Sequence, residues 1–151
     1  MPNLEITKRF TFEAAHYLEG YDGLCGHVHG HSYKVEVSVA AGALVANGQE
    51  AGMVMDLTRL KTCVQPVIDR FDHAFIVEHE TMAYLHRDDM NIPVRDEIRN
   101  ESRVVVLGVR PTTENIAAIL WADIEPRLPA HVSLVRLRVV ETETSWVELR
   151  A

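Results

Sequence analysis

Leu4-Glu-Ile-Thr-Lys-Arg-Phe-Thr-Phe-Glu-Ala-Ala-His16 reads as a half-buried β-strand. Leu4, Ile6, Phe10, Phe12, Ala14 and His16 share one parity, and Glu5, Thr7, Arg9, Thr11 and Glu13 share the other. That is the period of a strand with one face on a core. The pattern returns from His29 to Val39, with His29, His31, Tyr33, Val35, Val37 and Val39 on one face. Gly20 and Gly23 lie between the two strands, so a loop of moderate length joins them, and pairing them as a hairpin brings His16 close to His29 and His31.

Further along, Asp56 reads as a helix N-cap, and Leu57, Leu60, Val64, Ile68 and Phe71 follow at helical spacing. Pro66 inside that pattern predicts a kink or a shortened helix. Residues 76–110 carry charges and Pro93 and show little period, although Val104–Val106 suits a short strand. A second helix begins near Thr112 or Thr113, with Glu114 in its first turn. Ile116, Ile119, Leu120 and Ile124 form its apolar stripe, and Pro126 limits it. Strands over about Val132–Glu141 and Trp146–Arg150 close the chain, and a further short strand is expected near Met53–Met55. Grouped rather than alternating elements predict an α+β fold with an antiparallel sheet.

The 151 residues suit a single domain, residues 1–151, with roughly 70% of the unfolded surface buried. Fifteen Lys+Arg against 22 Asp+Glu give a net charge of -7, which disfavours phosphate backbones and so direct nucleic-acid binding. Two cysteines are too few for a disulfide scaffold. Met1–Phe10 lacks a signal-peptide core, and the longest apolar runs are short of a membrane span. The expectation is a reduced, cytoplasmic protein with no membrane partner.

Cys25-Gly-His-Val-His-Gly-His31 places three of the eight histidines in five positions. His29 and His31 leave the same strand face, roughly 6.6 Å apart at Cα, and with His16 they can meet on one metal ion. Three neutral imidazoles and one open position make a catalytic zinc site, whereas a closed site needs a fourth ligand such as Cys25. His27 has the same parity and can exchange roles with its neighbours. His79, His86 and His131 read as surface or structural, and Cys63 as helix filler.

A thiol beside a metal ion and imidazoles is a candidate nucleophile or base, which singles out Cys25. Asp72-His73 is an acid–imidazole pair at a helix end, equally consistent with a histidine favoured by the helix dipole. Glu141 shares the apolar parity of Val135, Leu137 and Val139. A carboxylate there needs a neutralising partner, such as a ligand with paired N–H donors, unless the strand leaves the core at that point.

Phe12-Glu-Ala-Ala-His16, Cys25-Gly-His-Val-His-Gly-His31-Ser-Tyr, Met55-Asp-Leu, Phe71-Asp-His73, Pro111-Thr-Thr-Glu-Asn115 and Val140-Glu-Thr142, in that order, resemble the 6-pyruvoyltetrahydropterin synthase superfamily. Within it, the short spacing from Cys25 to His29 resembles the bacterial 6-carboxytetrahydropterin synthases of 7-deazaguanine and queuosine biosynthesis. The resemblance implies a tunnelling fold, an antiparallel sheet with two helices on one face, assembled into trimers and hexamers with active sites between subunits. It implies zinc on His16, His29 and His31, a catalytic thiol at Cys25, and an acid–base pair at Asp72 and His73. It places Thr112, Thr113, Glu114 and Glu141 against a pterin. The implied reaction converts 7,8-dihydroneopterin triphosphate to 6-carboxy-5,6,7,8-tetrahydropterin, releasing acetaldehyde and triphosphate. The stretch 76–110 looks enlarged relative to that family. A cupin is the alternative of another class, since Gly23, His29, His31 and Glu36 follow the spacing of its first motif. Its second motif is absent, and two helical stripes fit an all-β barrel poorly.

Overall fold

The computed structural model describes residues 4–79 and 103–151. Strands β1 (Glu5–His16) and β2 (His29–Ala41) precede helix α1 (Leu57–Phe71). Short strands β3 (Ala74–Val77) and β4 (Val104–Val106) follow, then helix α2 (Thr113–Ile124) and strands β5 (Val132–Thr142) and β6 (Ser145–Arg150). The strands form one six-stranded sheet in the order β4-β3-β1-β2-β5-β6.

The first two strands pair antiparallel with Phe10 opposite Val35, Phe12 opposite Tyr33 and His16 opposite His29. Both apolar faces therefore point the same way, under the helices. Phe12 stacks on Tyr33 at 4.7 Å between ring centroids and meets Phe71 of α1 at 5.8 Å. Each such buried side chain contributes roughly 1.5–3 kcal/mol through its apolar area.

The α+β architecture with two helices is as expected, but the sheet is mixed. β3 runs parallel to β1, and β4 parallel to β3. Helix α1 makes this possible, because it carries the chain from β2 across β1 to the far edge, the kind of crossover that parallel pairing needs. Val104–Val106 is the short strand its composition suggested. Met53–Met55 is not a strand: the chain turns there, with Val54 and Met55 buried. Pro66 does not shorten α1, which runs on to Phe71. Pro66 lies on the exposed side of the helix. Leu57, counted in the apolar stripe, is instead 46% exposed. The stretch 76–110, expected to be enlarged, lies mostly outside the described residues, as does His86.

Asp56 caps α1 by accepting hydrogen bonds from the Thr58 and Arg59 amides at 2.7 and 3.1 Å. The helix-free face of the sheet is polar. On it Glu36 pairs with Arg9 at 2.7 Å and lies 3.6 and 3.9 Å from Arg136 and Arg138. Glu36 thus points away from His29 and His31, which removes the one carboxylate the cupin reading needed. Among the described residues, no helix is long and apolar enough to cross a membrane.

Candidate active site

His16 is the last residue of β1 and His29 the first of β2, and the antiparallel register sets them opposite each other. His31 follows two residues on, on the same face. Ring centroids lie 4.6 Å apart for His16–His29, 5.2 Å for His16–His31 and 4.9 Å for His29–His31. One ring nitrogen from each lies within 4.8 Å of the others, and among the described residues this is the sole group of three or more His, Cys, Asp or Glu side chains able to share a metal ion. Cys25 is outside it, so the triad is three imidazoles rather than a closed set of four. His27 is outside it too.

The backbone fixes two of the three tautomers. His16 Nδ1 lies 2.7 Å from the Pro111 carbonyl, and His29 Nδ1 lies 2.7 Å from the His27 carbonyl. A carbonyl only accepts, so each Nδ1 carries the hydrogen and each Nε2 offers a lone pair, the usual outer-shell support of a metal-bound imidazole. His31 Nε2 is buried and has no hydrogen-bond partner. Burial lowers the pKa of His16, the Pro111 carbonyl opposing it; burial also lowers that of His31, with Glu141 opposing. Both rings are therefore held neutral, as metal ligands must be. An orphaned buried nitrogen and three converging imidazoles fit a divalent metal of the zinc type.

Behind the triad, Tyr33 is fully buried, with its hydroxyl 3.4 Å from His16 Nε2. Burial, and then the negative charge of Glu141, push its pKa up, so the phenol stays neutral. In the sequence, no chemistry of its own marks Tyr33. Its parity with His29 and His31 was the one signal that it stands beside them.

A pocket of about 330 Å³ opens beside the triad, walled by His16, Cys25, Thr112, Thr113, Glu114 and Glu141, with Trp146 among the apolar side chains. Thr112 caps α2 by accepting the Asn115 amide at 3.3 Å, and Thr113 is buried directly behind it. Cys25 sits exposed in a tight 3-10 turn, Leu24–Gly26. The turn is held because the Leu18 amide donates to the Cys25 carbonyl at 2.7 Å. Glu141 occupies an irregularity in the pairing of β5 with β6, between Val140 and Thr142. A bulge of this kind re-aims a side chain. Its Oε1 lies 3.3 Å from His31 Nε2 and 3.6 Å from His16 Nε2.

Asp72 and His73 stand elsewhere. His73 lines a separate recess of about 400 Å³ with Glu13, His31 and Ser32, and Cys25 is not in its wall. His73 has φ 56°, a left-handed conformation in which a non-glycine residue is uncommon. Its amide donates to the Glu13 carbonyl at 2.6 Å. Asp72 accepts the Glu13 amide at 2.9 Å with Oδ1, and its Oδ2 lies 2.9 Å from His73 Nδ1. The pair is thus an oriented acid–imidazole unit, not merely a helix-end histidine, with the His73 side chain largely exposed.

The Glu13 amide, and then His73, hold the Asp72 carboxyl below its ordinary value of 3.8. A carboxyl depressed on folding adds stability above its unfolded pKa and loses it as pH falls through the folded one. Asp72→Asn is therefore expected to flatten the loss of stability below about pH 4, measured by urea unfolding from pH 6 to pH 3. An unchanged acid limb would show that the Glu13 clamp carries no ionic part.

Of the remaining residues, His79 and His131 are exposed, and Cys63 packs against the core.

A family model for 6-pyruvoyl tetrahydropterin synthase matches residues 5–151. The 6-carboxy-5,6,7,8-tetrahydropterin synthase of Haemophilus influenzae is 33% identical over 145 residues, covering 95% of this chain and 96% of that one. The enzyme of the same name from Synechocystis is 34% identical over 142 residues, covering 93% and 88%. Among solved structures, an uncharacterized protein from Wolinella succinogenes superposes with a TM-score of 0.79 at 22% identity, over 99% of each chain. The Caenorhabditis elegans 6-pyruvoyl tetrahydropterin synthase gives 0.66 at 22% identity, over 100% of this chain and 97% of that one. These two likenesses show the shared fold. With a family match across nearly its whole length and relatives above 30% identity, this chain belongs to the 6-pyruvoyl tetrahydropterin synthase family.

Proposed function

We propose that this protein is a lyase that converts 7,8-dihydroneopterin triphosphate and one water to 6-carboxy-5,6,7,8-tetrahydropterin, acetaldehyde and triphosphate. The observation that carries the reading is the near full-length identity, 33% in Haemophilus influenzae, to relatives bearing that product's name. The side chains present suit the chemistry. When zinc is bound by His16, His29 and His31, it supplies a Lewis acid that polarises side-chain oxygens of the substrate and acidifies the adjacent C–H. Cys25 Sγ takes that proton as base. His73 Nε2 serves as a second proton carrier, its Nδ1 held by Asp72. Glu141 accepts from the N–H edge of the pterin, and Thr112, Thr113 and Glu114 line its seat.

Within one chain, His73 and Cys25 line different recesses. The reading therefore requires a second copy to bring His73 to the pocket of its neighbour, which makes the protein a homo-oligomer, a trimer or hexamer. Two free cysteines agree with a reduced, cytoplasmic setting, and the free pterin, not RNA, is the substrate of a step toward queuosine.

The zinc-loaded protein should be incubated with 7,8-dihydroneopterin triphosphate and its products identified. Acetaldehyde together with the 6-carboxy pterin is expected. A 6-pyruvoyl product without acetaldehyde would assign the other activity of the family, and an unconsumed substrate would end the reading.

A further inference from the structure

The loop that carries Cys25 has little to hold it in place. Every residue from Glu19 to Cys25 is exposed. The hydrogen bonds inside the loop close it on itself: the Leu18 amide donates to the Cys25 carbonyl at 2.7 Å, the Tyr21 amide to the Leu18 carbonyl at 3.2 Å and the Gly26 amide to the Gly23 carbonyl at 3.0 Å. These bonds set the shape of the loop but not its place beside the pocket. A segment with so few buried contacts opens locally at low free energy. Among the described residues, one hydrogen bond reaches Leu18–Gly26 from elsewhere in the chain. Arg110 Nη2 donates to the Glu19 carbonyl, across 91 positions of sequence.

The backbone of Arg110 is fixed on both sides. Its carbonyl accepts from the Thr112 amide and from Asn115 Nδ2, both at 2.8 Å, which ties it to the first turn of α2. Just before it, the Leu107 and Gly108 amides donate to the Val77 and Glu78 carbonyls at 2.9 and 3.0 Å. The side chain alone crosses to the Cys25 loop. It thereby joins two segments that wall the same pocket, Leu18 and Cys25 from one, Thr112 and Thr113 from the other, and it does not line that pocket itself. A charged donor makes such a bond stronger than a neutral one does.

We infer that Arg110 is a positioning residue: by holding the Glu19 carbonyl, its guanidinium fixes the Cys25 thiol relative to the seat at Thr112 and Thr113. The tie enters one residue from Leu18, whose amide holds the Cys25 carbonyl, so it is passed to the thiol's own residue through backbone alone. A base that must meet one C–H of a seated substrate tolerates little error, since a misplacement of about 1 Å costs about 10²-fold in rate. The inference rests on the proposed function for what Cys25 does, and on the structure alone for what holds it.

Four zinc-loaded proteins test it: the wild type, Arg110→Met, Arg110→Lys and Arg59→Met. Methionine keeps much of the length and apolar bulk of arginine but has no donor, and lysine keeps the charge and a donor. Arg59→Met removes an exposed ion pair with Glu50, 3.3 Å long, that ties a different loop to α1. Two readouts are taken, amide hydrogen exchange and steady-state turnover of 7,8-dihydroneopterin triphosphate. In Arg110→Met, exchange within Leu18–Gly26 is expected to rise by about 10–100-fold, the weight of a hydrogen bond made by a charged group, while the β1 and β2 amides keep their protection. Its kcat should fall by about 10²-fold, with KM within about threefold of wild type and zinc content unchanged. Arg110→Lys should recover part of both losses, and Arg59→Met should show neither. Wild-type exchange in the loop of Arg110→Met overturns the tie. Faster exchange with wild-type kcat overturns the positioning role. Loss of zinc, or faster exchange throughout the sheet, would make Arg110 a support of the whole fold and overturn it as well. Wild-type protein that leaves the triphosphate unconsumed ends the lyase reading instead, and the exchange measurement still decides whether Arg110 holds the loop.

Discussion

Replacing Cys25 by alanine is expected to cut turnover of 7,8-dihydroneopterin triphosphate by about 10²–10⁴-fold, the usual contribution of a positioned acid–base group, while leaving metal content and fold unchanged. Three features make this a clean experiment. Cys25 is exposed, so its loss opens no cavity. It lies outside the histidine triad, so the metal ligands stay complete. Its turn is shaped by the backbone: a Cβ at Gly26 would run into the Tyr21 carbonyl, and the Leu18 amide holds the Cys25 carbonyl whatever the side chain. The thiol itself is placed on the wall shared by His16 and Glu141. Stopped-flow consumption of substrate, with zinc measured on the same samples, gives both readouts. Full turnover by Cys25→Ala would transfer the proton step to another group, with His73 the next candidate, and Cys25→Ser should fall between the two.

The main elements were legible because each pairs an apolar face with a polar one. β1, β2, α1, α2, β5 and β6 all carry the period of their own geometry. β3 does not. Its four residues Ala74–Val77 are buried or half-buried throughout, so no alternation marks them, and they follow a histidine in a left-handed conformation that ends α1 abruptly. Parallel pairing with β1 joins positions about 60 residues apart, which no local pattern reports. At Met53–Met55 the reverse held: buried side chains looked like a strand, although the backbone turns.

The site divides along the same line. Parity alone placed His16, His29 and His31 on one face, because a hairpin register translates sequence into geometry. Whatever depended on distant segments was hidden. The Pro111 carbonyl that orients His16 is 95 residues away. The Glu13 amide that clamps Asp72 is 59 residues away. Glu141 was legible as a misplaced carboxylate on an apolar parity, yet nothing local pointed to imidazoles as its neighbours.

Removing one imidazole should have the other large effect. His29→Ala is expected to lose metal affinity by more than the ~10–100-fold that an outer-shell change costs, and to abolish turnover. His29 is the informative choice of the three. His16 is almost fully buried, so its replacement mixes packing with ligation, whereas the His29 ring is only half-buried and its Nδ1 is engaged with a carbonyl of its own loop. His27→Ala is the matched comparison: it removes a histidine two residues away while keeping the carbonyl that orients His29, and it should retain metal. Stability gives a second readout independent of turnover. At free metal about 100 times Kd, binding adds about 2.7 kcal/mol to the native state, or about 5–10 °C in Tm for a chain of this size. Wild type and His27→Ala should show that zinc-dependent rise, and His29→Ala should not. Equal zinc-dependent stabilisation of all three would mean that the ion binds elsewhere, and the functional reading built on this triad would go with it.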